Sequence, residues 1–319
     1  MRYRFEYLIF VFVKFVIWLL PRRFVLAVGT ALGWAVYVLH RPRRQLALDN
    51  LMAAFPHRLP AEHRTIARAS FAHFGRIVLD LIKLNSWTSS RLMSQVEFEN
   101  ADTVVNAYAQ GRGVIFYSGH FGFWELQLIA HAFQFEPMAV VSRILDNPWL
   151  EAAMVRVRSR GGTRVIHRRG AIRRLRRELA NRRGIAMMID QHIHDSSAID
   201  VDFFNHPAAT TSAIALLALR TGAPVVPLFS VPVSGGRYRL ICEPPVKAPS
   251  TDDPEAVREF TQRCTDVLEM YVRRYPHLWL WMHRRWREAK LRTERVDTAL
   301  NADNADKGTR HLSETKLGD

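Results

Sequence analysis

The sequence predicts an α/β protein, with a mixed, largely parallel sheet flanked by helices and a hydrophobic membrane-anchoring helix at the N-terminus. Three observations carry that expectation. Short apolar runs rich in β-branched residues alternate with helical periodicity along the body of the chain. These runs lack strict polar alternation, as strands buried on both faces do. The first forty residues hold two long, nearly uncharged segments. With 48% hydrophobic and 24% charged residues, the 319-residue chain has a globular balance and ample material for a core. Its two cysteines, Cys242 and Cys264, exclude a disulfide framework and a cysteine-based zinc cluster.

Residues 5–20 are apolar apart from Glu6 and Lys14, and residues 24–39 carry no charge. Arg22 and Arg23 separate the two segments, and Arg41, Arg43 and Arg44 follow them. Each segment falls somewhat short of the ~20 residues that span ~30 Å of hydrocarbon. A signal peptide lacks a clean small-x-small cleavage site here, and a buried core helix would suit only the second segment. Aromatic residues and flanking arginines favour a membrane anchor over residues 1–40, spanning or half-inserted, with the following domain on the cytoplasmic side.

Residues 60–84 predict a long amphipathic helix that starts on Pro-Ala-Glu. Strands are expected at 114–118, 138–142, 164–167, 185–190, 225–230 and 238–242. Helices are expected at 123–133, 148–160, 170–182, 210–221 and 254–274. Residues 41–294 then form one domain. From 295 to 319 the chain has few apolar residues and no period, which predicts a disordered polar tail.

The strongest chemical signal lies in VIFYSGHFGFWELQLIAH, where a strand runs through a Ser-Gly turn to His120 and a helix begins near Phe123. His120 thus stands at the carboxyl end of a strand, where open α/β sheets bind ligands. Glu125 falls in the first turn of the next helix, a position that favours a negative charge. A carboxylate bonded to one imidazole nitrogen fixes the tautomer and leaves the other nitrogen as a general base. A bland alternative is a loop histidine that only satisfies local backbone groups.

Ser118-Gly-His-Phe-Gly-Phe-Trp-Glu125 resembles the His-x4-Asp/Glu motif of bacterial glycerolipid acyltransferases, in particular the lipid A lauroyl/myristoyl acyltransferase family. The resemblance covers most of the body. Leu48-Asp-Asn-Leu-Met-Ala-Ala-Phe-Pro56 resembles the segment after the family's anchor, and Arg143-Ile-Leu-Asp-Asn-Pro148 its Arg-x3-Asn-Pro segment. GIAMMIDQ, ending on Asp190 and Gln191, resembles its strand ending in Asp-Gln. VDFFNHP, with Phe203 and Phe204, is similar to its Phe-Phe-Gly segment, with Asn205 in place of glycine. The stretch YPHLWLWMHRRW is similar to the family's closing motif and contains Arg285.

The resemblance implies transfer of a fatty acyl group from a carrier thioester to a lipid hydroxyl, without a cofactor or metal. An alcohol needs its proton removed as it attacks, which assigns His120 as base and Glu125 as the group that orients it. The thioester is already activated, so no acyl-enzyme is required. Backbone N–H groups near 119–122, or Arg143, are candidate donors to the oxyanion. Arg143, Asn147, Asp190, Gln191, Phe203, Phe204 and Arg285 are expected to bind or orient substrate, with Asp190 as a possible second acid on His120. The implied partners are acyl carrier protein (or acyl-CoA) as donor, a phosphorylated lipid acceptor and a membrane, at a bacterial inner membrane with the catalytic domain on the cytoplasmic side. The acceptor is expected to be a lipid A precursor, with another lysophospholipid or a phosphatidylinositol mannoside-type lipid as the alternative.

The formal charge is +15, and only six of the 45 basic residues are lysines. Between 156 and 183 there are twelve arginines against one acid, Glu178, a local excess of +11. Guanidinium forks suit phosphate and carboxylate, so an acidic carrier protein or anionic lipid fits this stretch, although a merely basic surface is the plain alternative. A nucleic-acid partner would leave the apolar N-terminus and the His120 context unexplained. His192, His194 and nearby acids offer the last alternative, a metal-dependent membrane hydrolase.

Overall fold

The computed structural model describes residues 1–168, 170–193 and 198–286. Arg169, His194, Arg287 and the tail at 295–319 lie outside the described residues.

A seven-stranded sheet forms the centre. Its strands are β1 (Val96–Glu99), β2 (Val114–Ser118), β3 (Met138–Ser142), β4 (Arg164–His167), β5 (Gly184–Met188), β8 (Val225–Pro232) and β9 (Tyr238–Cys242), in the order β1-β9-β8-β2-β5-β3-β4. Only β8 and β9 pair antiparallel; every other pair is parallel. The sheet is therefore mixed and largely parallel. All five residues of β2 are buried. Ile115 and Tyr117 enter the main core, and Val114 and Phe116 enter a second core on the other face. Burial on both faces explains why the sequence shows an unbroken apolar run rather than an alternating one.

Helices α6 (Ala101–Ala109), α7 (Trp124–Gln134), α8 (Pro148–Arg158), α9 (Ala171–Ala180), α10 (Ala213–Thr221) and α11 (Pro254–Arg274) connect or cover the strands. Their starts follow local chemistry. Asp253 accepts hydrogen bonds from the N–H groups of Glu255 and Ala256 at the head of α11, with Pro254 at the first helical position.

The sequence reading did not foresee a hairpin, β6 (Ala198–Phe203) and β7 (His206–Thr211), which packs against α11 outside the main sheet. Its two-residue turn puts both Phe204 (φ 59°) and Asn205 (φ 60°) in the left-handed region. Asparagine adopts that region readily, so its replacement of glycine leaves the hairpin intact. The helix expected from 210 starts only at Ala213, because β7 claims Thr210 and Thr211.

The N-terminal segments fold as two successive helices, α1 (Arg2–Leu19) and α2 (Arg22–Leu39), broken at Pro21, and both pack against the helix that spans 60–85. Helices α3 (Arg41–Ala54) and α4 (Pro60–Asn85) follow, with a short α5 (Ser89–Met93) after them. Helix α2 is long and apolar enough to cross a membrane. It does not project from the body, however, but packs lengthwise on α4. A Cβ on Gly33 would sit 2.2 Å from the Phe71 carbonyl oxygen, and one on Gly75 would sit 2.1 Å from that of Gly29. The backbones touch, and only glycine fits. At one end of α2, Arg22 reaches the buried Asp80 carboxylate at 2.7 and 2.5 Å, the Gly236 carbonyl at 2.7 Å and the Gln95 side chain at 3.1 Å. Past the other end, Arg43 donates to the Met282 carbonyl at 2.7 Å. Outward faces of both helices stay bare, with Phe5, Phe12, Phe15, Trp18, Phe24, Leu32 and Leu39 all exposed.

Candidate active site

Strands β2 and β5 lie side by side in parallel, with Ser118 opposite Met188. Two residues beyond those partners stand His120 and Asp190, so the ladder itself brings the two together. The Ile189 N–H donates to the Ser118 carbonyl at 3.0 Å and extends the ladder to the edge of the pair. One oxygen of Asp190 lies 2.8 Å from His120 Nδ1. The other accepts from the His120 backbone N–H at 2.7 Å and from Trp279 Nε1 at 2.9 Å. The charged acceptor makes the Nδ1–H tautomer the favoured one, leaving Nε2 with its lone pair facing the groove. The amide nitrogen of Gln191 is 3.4 Å from that Nε2.

Burial alone would lower the His120 pKa. Attraction and hydrogen bonding to Asp190, with a smaller contribution from Glu125 and opposition from Arg158, raise it above the usual histidine value. For Asp190, burial pushes upward, but the charge and hydrogen bonds of His120 and the Trp279 donor outweigh it and bring the carboxyl down to about 2.

Glu125 is not hydrogen-bonded to His120. Its carboxylate is gripped by Arg158, whose Nε lies 3.1 and 2.9 Å from the two oxygens and whose Nη2 also donates to one of them. Nη1 of the same guanidinium donates to Ser142 Oγ at 2.6 Å. The expected Glu125–His120 bond gives way because β5 delivers Asp190 to Nδ1 first, while α8 delivers a bidentate cation to Glu125. Three of the expected backbone donors are also committed elsewhere. The N–H of His120 goes to Asp190, that of Phe121 to the Gly119 carbonyl at 2.7 Å, and that of Gly122 to the Leu278 carbonyl at 2.9 Å.

The loop is held from several sides. His73 on α4 bonds the Gly122 carbonyl through Nε2 at 3.0 Å, and its burial drops its pKa to about 3, so it stays neutral. Gly122 has φ 59°, and a Cβ there would meet the Ser230 carbonyl oxygen at 1.7 Å. Trp124 packs edge-on against the His120 ring at 5.2 Å.

His120 opens onto a groove of about 730 Å³, within the range of small-molecule sites. Leu128, Met138, Val140, Met154, Leu175, Met187, Leu216 and Leu217 make much of its wall apolar, and Arg143, Arg158, Arg168 and Arg220 add positive charge. Arg143 is exposed on the loop after β3, and Gln191 also lines the groove. Other expected binding residues do not. Asn147 caps α8 by accepting from the N–H groups of Trp149 and Leu150, and it donates to the Tyr3 carbonyl at 2.9 Å and to Glu6 at 3.0 Å. Phe203 and Phe204 are buried among Trp279, Trp281 and Trp286. Arg285 is buried under the hairpin, donating to the Ala209 carbonyl at 2.6 Å and to Thr210 Oγ1, and burial lowers its pKa to about 10. These four hold the scaffold together. Among the described residues no three His, Cys, Asp or Glu side chains are grouped to hold a metal ion, and His194 lies outside them.

The arginine-rich stretch divides by role. Arg158 binds Glu125, Arg160 donates to the carbonyls of Leu84 and Trp87, and Arg164 and Arg183 both pair with Glu178. Arg173, Arg174, Arg176 and Arg177 on α9 are exposed.

A histidine–carboxylate pair at the end of a parallel sheet, beside an apolar groove, suits the movement of an acyl group, and comparison with known proteins agrees: the chain is an acyltransferase that acts on a lipid acceptor. It belongs to the bacterial lipid A biosynthesis acyltransferase family, which matches residues 1–288. It is similar to the lipid A biosynthesis lauroyltransferase of Escherichia coli, 26% identical over 277 residues covering 85% of this chain and 89% of that one. It is also similar to the phosphatidylinositol mannoside acyltransferase of Mycolicibacterium smegmatis, 25% identical over 225 residues covering 69% and 72%. The crystal structure of the 1-acyl-sn-glycerophosphate acyltransferase PlsC from Thermotoga maritima aligns with a TM-score of 0.36 at 13% identity, over 77% of this chain and 95% of that one.

Proposed function

We propose that the protein transfers a fatty acyl group from an acyl-carrier thioester to a hydroxyl of a phosphorylated glycolipid, with His120 as the general base. The observation that carries this reading is the His120–Asp190 pair, whose Nε2, touched only by the Gln191 amide among the described residues, faces a largely apolar groove. In the reaction Nε2 removes the acceptor hydroxyl proton as the oxygen attacks the thioester carbonyl carbon. The tetrahedral oxyanion collapses, the C–S bond breaks, and the imidazolium returns the proton to the departing thiolate. Asp190 holds the ring and stabilises the imidazolium. Glu125 acts through Arg158, fixing a guanidinium on the groove wall beside the reacting centre. Arg143, exposed and on the same groove, is the candidate oxyanion donor. A lipid A precursor is the proposed acceptor. Acyl carrier protein is the proposed donor, because the exposed arginines of α9 suit an acidic partner.

The bare outer faces of α1 and α2, with both ends of α2 tied to the body, support two half-inserted helices in the cytoplasmic leaflet of the inner membrane rather than a separate spanning anchor. The test of the chemistry is His120→Ala, which should lower acyl transfer roughly 10²–10⁴-fold with the far-UV spectrum unchanged. Undiminished turnover by the folded variant would remove His120 as the base.

A further inference from the structure

A second pocket, about 340 Å³, lies between α1 and α8 and is lined by Arg4, Tyr7, Leu8, Trp149, Ala152 and Arg156. It is distinct from the catalytic groove, although one helix serves both. Met154 and Arg158 of α8 face the groove, and Ala152 and Arg156, on another side of the same helix, face this pocket. The frame is fixed by Asn147, which ties the head of α8 to Tyr3 and Glu6 of α1.

The chemistry of the pocket is lopsided. Arg4 and Arg156 are exposed, and neither pairs with a carboxylate among the described residues. The guanidinium of Arg4 lies over the Trp149 ring at 5.7 Å, and the Tyr7 and Trp149 rings are 5.8 Å apart. Each framing helix has one acid, and neither acid pairs with Arg4 or Arg156. Glu6 accepts from Arg2 at 2.7 Å as well as from Asn147, and Glu151 accepts from the Leu145 N–H at 2.8 Å. Two uncommitted guanidiniums over an aromatic floor match a phosphodiester, whose oxygens take bidentate bonds that a lysine ammonium cannot reproduce. Beyond Arg4 the outer face of α1 is apolar, with Phe5, Leu8, Ile9 and Phe12 exposed. Tyrosine and tryptophan beside such a surface sit at head-group depth in a bilayer.

We infer that the α1–α8 pocket binds the head group of an anionic phospholipid, at a site separate from the one that performs acyl transfer. The acyl tails of that lipid lie along the bare face of α1. This inference rests on the membrane reading above, and it goes beyond that reading by naming a head-group chemistry and the residues that read it. Occupancy would also brace α8, the helix that holds Arg158 on Glu125.

The full chain is sedimented with vesicles of phosphatidylcholine containing about 30 mol% phosphatidylglycerol, and separately with vesicles of phosphatidylcholine alone. Ala152→Phe fills the pocket and leaves every charge in place. Arg4→Lys with Arg156→Lys keeps the charge and removes the planar forks. Each should weaken binding to the phosphatidylglycerol vesicles roughly tenfold or more, with acyl transfer to a detergent-dispersed acceptor unchanged. An undiminished phosphatidylglycerol preference in both variants overturns the inference and assigns the attraction to the basic surface at large. If Ala152→Phe does not fold, the lysine pair alone decides. Displacement of the vesicles by inorganic phosphate at concentrations too low for general screening assigns the pocket to free phosphate and overturns the lipid assignment. A wild-type chain that ignores both vesicle types refutes the membrane reading itself. One that binds both equally refutes only the head-group site.

Discussion

Both oxygens of Asp190 are committed, one to the His120 ring and the other to the His120 backbone and the Trp279 indole. The His120 side chain and its own peptide group are thus fixed by a single carboxylate. With the His120 pKa raised by this partner, the proposed base is expected to be protonated and inactive at low pH, and acyl transfer to gain its full rate only as pH rises through that raised value. Asp190→Asn removes the attraction and leaves burial to act, so the acid limb of the pH–rate profile should move to lower pH while the plateau falls roughly 10²–10⁴-fold. An unmoved limb would show that Asp190 does not control His120. The Asp190 carboxyl is depressed to about 2, so its stabilising contribution is present above the ordinary aspartate range and disappears as pH falls toward 2. His120 was legible in the sequence from its strand-to-helix setting. The Glu125–Arg158 pair was not, because thirty-three residues separate the partners and Arg158 was one of twelve arginines in a charged run. Asn147 shows how a polar residue in a recognisable motif misleads: Asn-Pro ahead of a helical pattern is also the signature of a cap, and capping is how its oxygen is used here.

The helices and strands of the body were legible where they are long and periodic or short and wholly apolar. β4 falls on its expected range, and β2 and β3 do as well. β1 and α6 escaped because Val96–Glu99 is only half-buried and reads as polar. The β6–β7 hairpin escaped because its turn is Phe-Asn rather than the Asn-Gly that advertises a tight hairpin. Helix α2 was legible as apolar, but its partner was not. Gly29 and Gly33, four residues apart, present one bare stripe, and only the structure shows Gly75 of α4 meeting it. Gly33→Leu would drive a side chain into the Phe71 carbonyl and force the helices apart. We expect a loss of about 2–4 kcal/mol in stability, measured by thermal or denaturant unfolding in detergent. A change below about 0.5 kcal/mol would mean that the contact between α2 and α4 is loose.

At the scale of the whole molecule, the end of the sheet and the groove form one arrangement. The groove runs back from His120 between β2, β5 and the covering helices, and Ala186 lines it four residues upstream of Asp190 on β5. At ~3.3 Å per strand residue that is about 13 Å from the carboxylate. Ala186→Phe should block the far part of the groove and shift the preferred acyl donor to a shorter chain, with each methylene excluded costing about 0.8 kcal/mol of discrimination. Competition between donors of different length measures this, and an unchanged preference would place the acyl chain elsewhere.

The two N-terminal helices have a consequence of another kind. Asp80 is wholly buried, and its counter-charge comes from Arg22, a residue of the very segment that looks like a detachable leader. Cutting off the first forty residues would strand that carboxylate in the interior without its cation, a cost of about 3–5 kcal/mol, and would strip the glycine-lined flank of α4 bare. These two helices are therefore not a loose tether. They are built into the body of the enzyme, and a chain that starts after residue 40 is expected to lose stability rather than to be released as an intact domain.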